Sequence, residues 1–419
     1  MATQAQPRTG GSIGERFQSV RALSAAIAAP LSDADATLQP CPDASPAKWH
    51  LAHSSWFFET FVLRDHVAGY SLFDPRWCFL FNSYYEGEGE RIARERRGML
   101  SRPTLDEVRT YRAHVDAALL QALPRLPAEA LALVELGLNH EQQHQELMLT
   151  DILAAFAENP LLPAVWDVTP EPSPPAGEIG DVRFPGGVAE IGHNGPGFAF
   201  DCEAPRHRVL VHPYELADRP VTNAEWLQFV DAGGYRTAAH WTADGWAWVK
   251  AQSVGAPLYW RRDGDGWARF GLDGLHPLDP AEPVCHISWY EADAFARWAR
   301  ARLPTEAEWE IAASAFDPAS GNQLDAAGPV RPRAALGSGL RQMFGDVWEW
   351  TASPFTPYPG FTPAEGTVGE YNGKFMVNQF VLRGGSCATP RGHLRTSYRN
   401  FFYPHQRWQF CGLRLARDI

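Results

Sequence analysis

No stretch of the chain approaches the roughly 18 consecutive apolar residues that a membrane helix needs, so none is expected to span a bilayer. The first residues lack the charged, apolar, small-residue order of a signal peptide, and Met1 to Gly14 reads as a polar tail. Positive charge is in short supply. Thirty-seven Lys and Arg against 49 Asp and Glu leave a net charge of −12. That balance argues against wrapping nucleic acid, which needs a basic footprint. Cysteine is sparse too. Six are scattered (Cys41, Cys78, Cys202, Cys285, Cys387, Cys411), and no CxxC occurs. Reduced thiols in a cytoplasmic protein are expected, not a disulfide scaffold. There is no internal repeat. Collagen, disorder, a secreted mini-protein, a membrane protein and a DNA-binder are thereby excluded.

What is present is a long and ordinary globular composition with one exception. At about 100–200 residues per domain, 419 residues suggest two or three domains. Hydrophobic residues make up 45% and charged residues 21%, as in soluble globular chains, but there are 16 Trp. Texture changes near residue 170. Before it, Ala22 to Ala29, Pro46 to Val62, Thr104 to Leu123 and Leu126 to Phe156 read as helices, with Pro127 near a start and Gly137 inside. Leu131, Val134 and Leu138, then Leu147, Leu149 and Ile152, recur at helical spacing. Several such helices suggest a bundle. Thr169 to Gly177 is too rich in proline for a helix or a central strand and reads as a linker. Beyond it lie short strands, Gly turns and 12 of the 16 Trp. Ser288 to Arg302 reads as a helix there. Thr305 and Glu308 form a capping-box pattern that predicts the start of another.

His140-Glu-Gln-Gln-His144 is the sharpest local signal. Two His at i and i+4 share one helix face and can grip one ion. A solvated polar face carrying two His is the plainer reading. The string also matches the zinc-peptidase pattern HExxH. No His or Glu stands at the third-His metzincin spacing, and Glu158 lies near a helix end. His50 and His53, on another predicted helix among apolar residues, offer the third ligand instead. A lone His on an apolar face is usually core. Two helices that each present His inward shift that balance, because facing helices build metal sites in bundle cores. Three imidazoles suit Zn, Fe, Cu or Ni, and spacing does not choose among them.

Leu51-Ala52-His53 followed by His140 to Glu146 resembles the DinB-like metal bundle of the ergothioneine-biosynthesis iron(II) sulfoxide synthases. The second half resembles the formylglycine-generating-enzyme-type fold, which is C-type-lectin-like. Its marks are Glu203-Ala-Pro-Arg-His207, Pro220-Val-Thr-Asn223, Leu303 to Glu310, Gly345 to Trp350, Leu382-Arg-Gly-Gly-Ser386 and Gly412-Leu-Arg414. The resemblance implies an α+β protein. A DinB-like bundle would span residues 15–168, a Pro-rich linker 169–178 and a lectin-fold domain 179–419. It implies an enzyme that joins a thiol sulfur to the imidazole C2 of hercynine (trimethyl-histidine) with O2, forming a sulfoxide. A related branch attaches selenium on the way to selenoneine.

The same resemblance implies non-haem Fe(II) on His53, His140 and His144, with O2 as co-substrate and His50 left as a core or supporting residue. Three neutral imidazoles leave positions open for a thiolate or selenolate and for O2. Gln143 matches a position that contacts the hercynine imidazole. Tyr84 and Tyr85 resemble a Tyr-Tyr pair in which a hydroxyl acts as proton or hydrogen donor; packing is their plainer reading. Arginines in the stretch after them hold the donor carboxylate in this family, which singles out Arg94 first, then Arg91 or Arg97. Asn400, Phe401, Phe402 and Trp408 are the expected hercynine end, where aromatic faces suit a trimethylammonium cation. One branch has Asn-Trp-Asp where this chain has Asn400-Phe401-Phe402. Without that Asp, free cysteine or a selenium donor such as a selenosugar is favoured over gamma-glutamylcysteine. Cys387 and Cys411 do not match the copper-binding cysteine pair of true formylglycine-generating enzymes. An HExxH zinc hydrolase and a non-enzymatic lectin-like binding module are the competing readings. Substrates are expected to be small molecules.

Overall fold

The computed structural model describes residues 11–365, 369 and 372–419. Most of the proposed N-terminal tail therefore lies outside the described residues. Its last part is helical, not tail: Ser12 and Glu15 close a capping box that starts α1 (Ile13–Ala28). α2 (Ala47–Phe58), α3 (Trp77–Phe81), α4 (Leu105–Ala122) and α5 (Ala128–Ala157) complete the helical part. Thr104 and Glu107 cap α4 in the same way.

α2 has no solvent-exposed face, because all twelve of its residues are buried. Helices α1, α4 and α5 pack around it. The chain continues from α2 through a π-helical segment, Glu59–Arg64, whose buried Glu59 accepts from Tyr111 Oη at 2.6 Å and Tyr70 Oη at 2.8 Å. Gly137, in the middle of α5, faces Phe58; a Cβ there would lie 2.4 Å from the Phe58 ring. The glycine costs helix propensity but lets α5 lie close against α2.

Residues 167–180 carry no regular secondary structure. Strands follow: β1 (Asp181–Phe184), β2 (Gly187–Ile191), β3 (His207–Val211), β4 (Tyr214–Ala217), β5 (Trp260–Asp263), β6 (Gly266–Gly271), β7 (Gly274–Pro277), β8 (Trp348–Pro354), β9 (Phe380–Arg383), β10 (Asn400–Phe402), β11 (Cys411–Gly412) and β12 (Ala416–Asp418). Helices α6 (Asn223–Asp231), α7 (Ala243–Gln252), α8 (Trp289–Trp298) and α9 (Glu306–Ala313) lie among them. The main sheet has the order β10-β9-β8-β11, and a second has β1-β4-β12. β2 pairs with β3, and β5-β6-β7 form a meander. This is a helical bundle followed by a mixed α+β part, as expected. The capping box at Thr305 and Glu308 starts α9 where the sequence placed it.

The sequence marks of the second half are largely scaffold. Arg383 reaches Glu306 at 2.9 Å, Arg399 reaches the same carboxylate at 2.9 Å, and Arg414 grips Glu349 at 2.7 Å, all buried. Pairing of this kind offsets the cost of burying a charge. They anchor the loops between strands.

The two halves meet along α5. Glu146 is half-buried and accepts from Trp348 Nε1 at 2.7 Å, Ser386 Oγ at 2.5 Å and Thr389 Oγ1 at 2.7 Å. Burial raises the pKa of its carboxyl, and the three donors oppose that rise. Asp151, further along α5, accepts from Trp408 Nε1 at 2.9 Å.

Candidate metal centre

α2 and α5 pack face to face and bring three imidazoles together. His53 Nε2 lies 3.2 Å from His140 Nε2, and His144 Nε2 lies 3.0 Å from that same atom. One ligand atom from each residue falls within 4.8 Å of the others. His53 and His140 are buried, while His144 is partly accessible, so the cluster opens on its His144 side.

Burial keeps all three rings neutral. It lowers His140 to about 3 and, with the neighbouring His rings, pulls His53 and His144 well below the ordinary value. Neutral imidazole is the form that binds metal. His53 Nδ1 faces the Phe81 carbonyl at 2.6 Å, which directs Nε2 into the cluster. The His53 ring is stacked between Trp49 (4.5 Å) and Trp56 (5.6 Å), so its orientation is fixed on both faces. Three convergent neutral nitrogens fit a first-row divalent metal and leave further positions for small molecules.

The HExxH hydrolase reading fails on Glu141. Successive residues point about 100° apart on a helix, so Glu141 turns away from the face that carries His140 and His144. It is buried between Arg21 and Arg112, each at 2.9 Å, and accepts from Ser24 Oγ at 2.6 Å. Despite burial, the two arginines hold its carboxyl down to about 2. A peptidase base must instead stand beside metal-bound water.

The other expected residues sit at different depths. Gln143 Nε2 donates to Tyr398 Oη at 2.6 Å, joining α5 to the loop before β10. Tyr85 is buried, with its ring 5.7 Å from Trp56 and 5.1 Å from Phe61. Tyr84 lies 4.7 Å from Tyr85 and meets Phe375 edge-on at 5.3 Å. Tyr85 is thus the closer of the two to the rings around His53. Arg94 is exposed, and Arg91 pairs with Glu86 at 2.6 Å.

Arg97 is different. It is buried, its guanidinium lies 3.4 Å over the Trp49 ring, and it donates to Ser45 Oγ at 2.9 Å and Ser83 Oγ at 3.1 Å. Among the described residues, hydroxyls hydrogen-bond it and no carboxylate does. Burial, then the nearby Arg94 and Arg91 charges, push its pKa well down. The geometry therefore moves Arg97 ahead of Arg94 as the inward-facing arginine.

At the far end, Phe401 lies flat on Phe355 at 4.0 Å, and Phe402 meets Trp408 edge-on at 5.9 Å. Asn400 Oδ1 accepts from Phe401 N at 2.9 Å. Tyr398 and Asp151 escaped the sequence reading. Tyr398 adjoins Arg399-Asn400, and Asp151 stands seven residues after His144 on the same helix face, so periodicity could have found it.

Two family models divide the chain. The DinB superfamily matches residues 16–148, and the sulfatase-modifying factor enzyme 1-like domain matches residues 169–419. A formylglycine-generating enzyme of Streptomyces coelicolor is 33% identical over 59% of this chain and 93% of its own. That relative matches only part of this chain. Two others match both halves in one alignment. The hercynine oxygenase of Mycolicibacterium thermoresistibile is 36% identical, over 92% of this chain and 90% of its own. That of Mycobacterium tuberculosis is 36% identical, over 92% and 94%. With both halves matched in order and a three-histidine cluster between α2 and α5, the chain belongs to the hercynine oxygenase family.

Proposed function

We propose that this protein is an O2-dependent non-haem Fe(II) enzyme that bonds a sulfur or selenium donor to the imidazole C2 of hercynine. The convergence of His53, His140 and His144 Nε2 in a protein of this family carries the reading. With a thiol donor the balance is simple. The C2 and thiol hydrogens leave with one oxygen atom as water, and the second oxygen stays on sulfur as a sulfoxide. Iron held by the three imidazoles supplies the redox centre for O2 and a soft site for the donor.

The chain's own residues then bind and orient. Arg97, buried and hydrogen-bonded to the hydroxyls of Ser45 and Ser83, suits the donor carboxylate. Arg91 and Arg94 lie further out and raise the local positive potential. Gln143, which donates to Tyr398, suits contact with the hercynine ring. Phe402 and Trp408, with Asn400 and Phe401 at the strand that carries them, form the aromatic end for the trimethylammonium. Tyr85, with the Tyr84 ring tilted against it, is the hydroxyl assigned to deliver a proton, because its ring adjoins Trp56 beside His53. Six free cysteines fit a reducing, cytoplasmic setting, and among the described residues no helix is long and apolar enough to cross a membrane.

Phe402 in place of an acidic residue favours free cysteine or a selenium donor over gamma-glutamylcysteine. Side-by-side turnover of the Fe(II)-loaded protein with cysteine, gamma-glutamylcysteine and a selenosugar tests this. Gamma-glutamylcysteine is expected to be the poorest donor. Its preference over both others would overturn the donor reading.

A further inference from the structure

His50 lies three residues before ligand His53, yet it faces a different ligand. Its Nδ1 is 2.8 Å from Nδ1 of His144, and its Nε2 is 3.0 Å from Oδ2 of Asp151. Both His50 and Asp151 are buried, at 3% and 5% exposure. The proton positions in this row follow from valence. His144 turns Nε2 into the cluster, so a metal there takes that lone pair and Nδ1 must carry the hydrogen. His144 Nδ1–H then donates to His50 Nδ1. With Nδ1 accepting, neutral His50 carries its hydrogen on Nε2 and donates it to Asp151. One arrangement of hydrogens satisfies every atom.

Asp151 is held in turn. Its Oδ2 also accepts from the Ser45 backbone N–H at 2.8 Å, and its Oδ1 accepts from Trp408 Nε1 at 2.9 Å. Trp408 belongs to the C-terminal part of the chain, next to Phe402. The carboxylate therefore joins a metal ligand to the far half of the molecule. His53 has no such support, since its Nδ1 meets a neutral carbonyl.

We infer that His50 and Asp151 are positioning residues that orient and polarise ligand His144 through a carboxylate–imidazole–imidazole relay, and that Trp408 couples this relay to the docking of the C-terminal domain. A carboxylate behind a ligating imidazole raises its basicity and fixes its ring, and losing such a partner lowers metal affinity about 10- to 100-fold. The relay runs in series. Cutting it at either residue removes the same effect, so the two losses do not add. It also accounts for two histidines in Trp49-His-Leu-Ala-His53: one binds the ion and the other supports a ligand from the opposite helix. The inference rests on the metal centre proposed above.

Co(II) titration of the full-length, metal-free protein, followed by visible absorption, tests it. Asp151→Asn and His50→Gln are each expected to raise the Co(II) Kd about 10- to 100-fold and to shift the visible bands. The double variant is expected to bind no more weakly than the weaker single one. Trp408→Phe, which leaves the helical bundle intact, is expected to weaken binding in the same direction by a smaller factor. Singles with an unchanged Kd, or losses that add in the double variant, would overturn the relay. If the buried substitutions prevent folding, an unchanged Kd in Trp408→Phe overturns it. Wild-type protein that takes up no Co(II) overturns the metal centre itself, a result distinct from wild-type and variants binding alike.

Discussion

Arg97 concentrates the cost and the use of a single side chain. A buried guanidinium met, among the described residues, by Ser45, Ser83 and the face of Trp49 lacks there the paired opposite charge that normally compensates desolvation. Arg97→Met is therefore expected to leave the melting temperature of the substrate-free protein unchanged or higher. The same change removes a charged hydrogen-bond donor of about 1.5–3 kcal/mol, so the KM for the thiol donor is expected to rise about 10- to 100-fold. Thermal melts and donor-saturation kinetics on the two proteins check both halves. A destabilised variant with an unchanged KM would contradict the assignment. In the sequence, Arg91, Arg94, Arg96 and Arg97 look alike, and burial alone separates them. That information comes from Trp49 and Ser45, about fifty positions away, and no local pattern carries it. Two of the three clustered histidines, by contrast, were legible, because i and i+4 spacing places His140 and His144 on one face by helix geometry alone; His53 was separated from His50 only by the family resemblance.

At the scale of the element, α5 does three jobs with three faces. His140, His144 and Asp151 face α2, Glu141 faces α1 and α4, and Gln143 and Glu146 reach the C-terminal half, which also meets Asp151 through Trp408. The long helix was plain in the sequence, but Glu141 was ambiguous there. HExxH reads as catalytic until the partners Arg21 and Arg112 are seen, and those lie on other helices. Glu141→Gln leaves two buried arginines without their shared carboxylate. A loss of about 3–5 kcal/mol is expected, by the cost of breaking a buried pair. Metal content per folded molecule is expected to stay unchanged. Denaturant unfolding and metal analysis of the variant decide the matter. Loss of metal at unchanged stability would contradict it. Gly137 shows the same limit in another form. It looks like a weak point in a helix until the Phe58 ring appears 2.4 Å from where its Cβ would stand.

At the scale of the molecule, the two halves are tied together on the helix that carries His140 and His144, where Tyr398 meets Gln143 and Trp408 meets Asp151. The bundle, the proline-rich connection and the change to short strands were all legible from texture. The scaffold role of Arg383, Arg399 and Arg414 was not, because ion pairs such as Arg399–Glu306 join residues far apart in sequence. Desolvated histidines also set how the whole protein responds to acid. His286 is half-buried between Tyr259 and Phe410, at 4.7 and 4.8 Å, and desolvation there lowers it to about 3. The unfolded chain takes up a proton near 6.5, the folded chain only near 3. Stability is thus complete above the unfolded value and falls as pH drops through that window, by at most about 1.4 kcal/mol per pH unit. His286→Asn, which tolerates the positive φ of 63° at this position, is expected to flatten the slope between pH 6 and 4. Denaturation midpoints for both proteins across that range measure it, and equal slopes would contradict the assignment.

The central claim joins the three-histidine cluster to hercynine. The most direct measurement is O2 uptake by the anaerobically Fe(II)-loaded protein, with and without hercynine, in the presence of cysteine or a selenol donor, with mass analysis of the product. The account predicts uptake that requires both hercynine and donor, and a product that joins them with one added oxygen when the donor is cysteine. It also predicts loss of both in His53→Ala. Hercynine recovered unchanged with every donor, or turnover that survives His53→Ala, would contradict it.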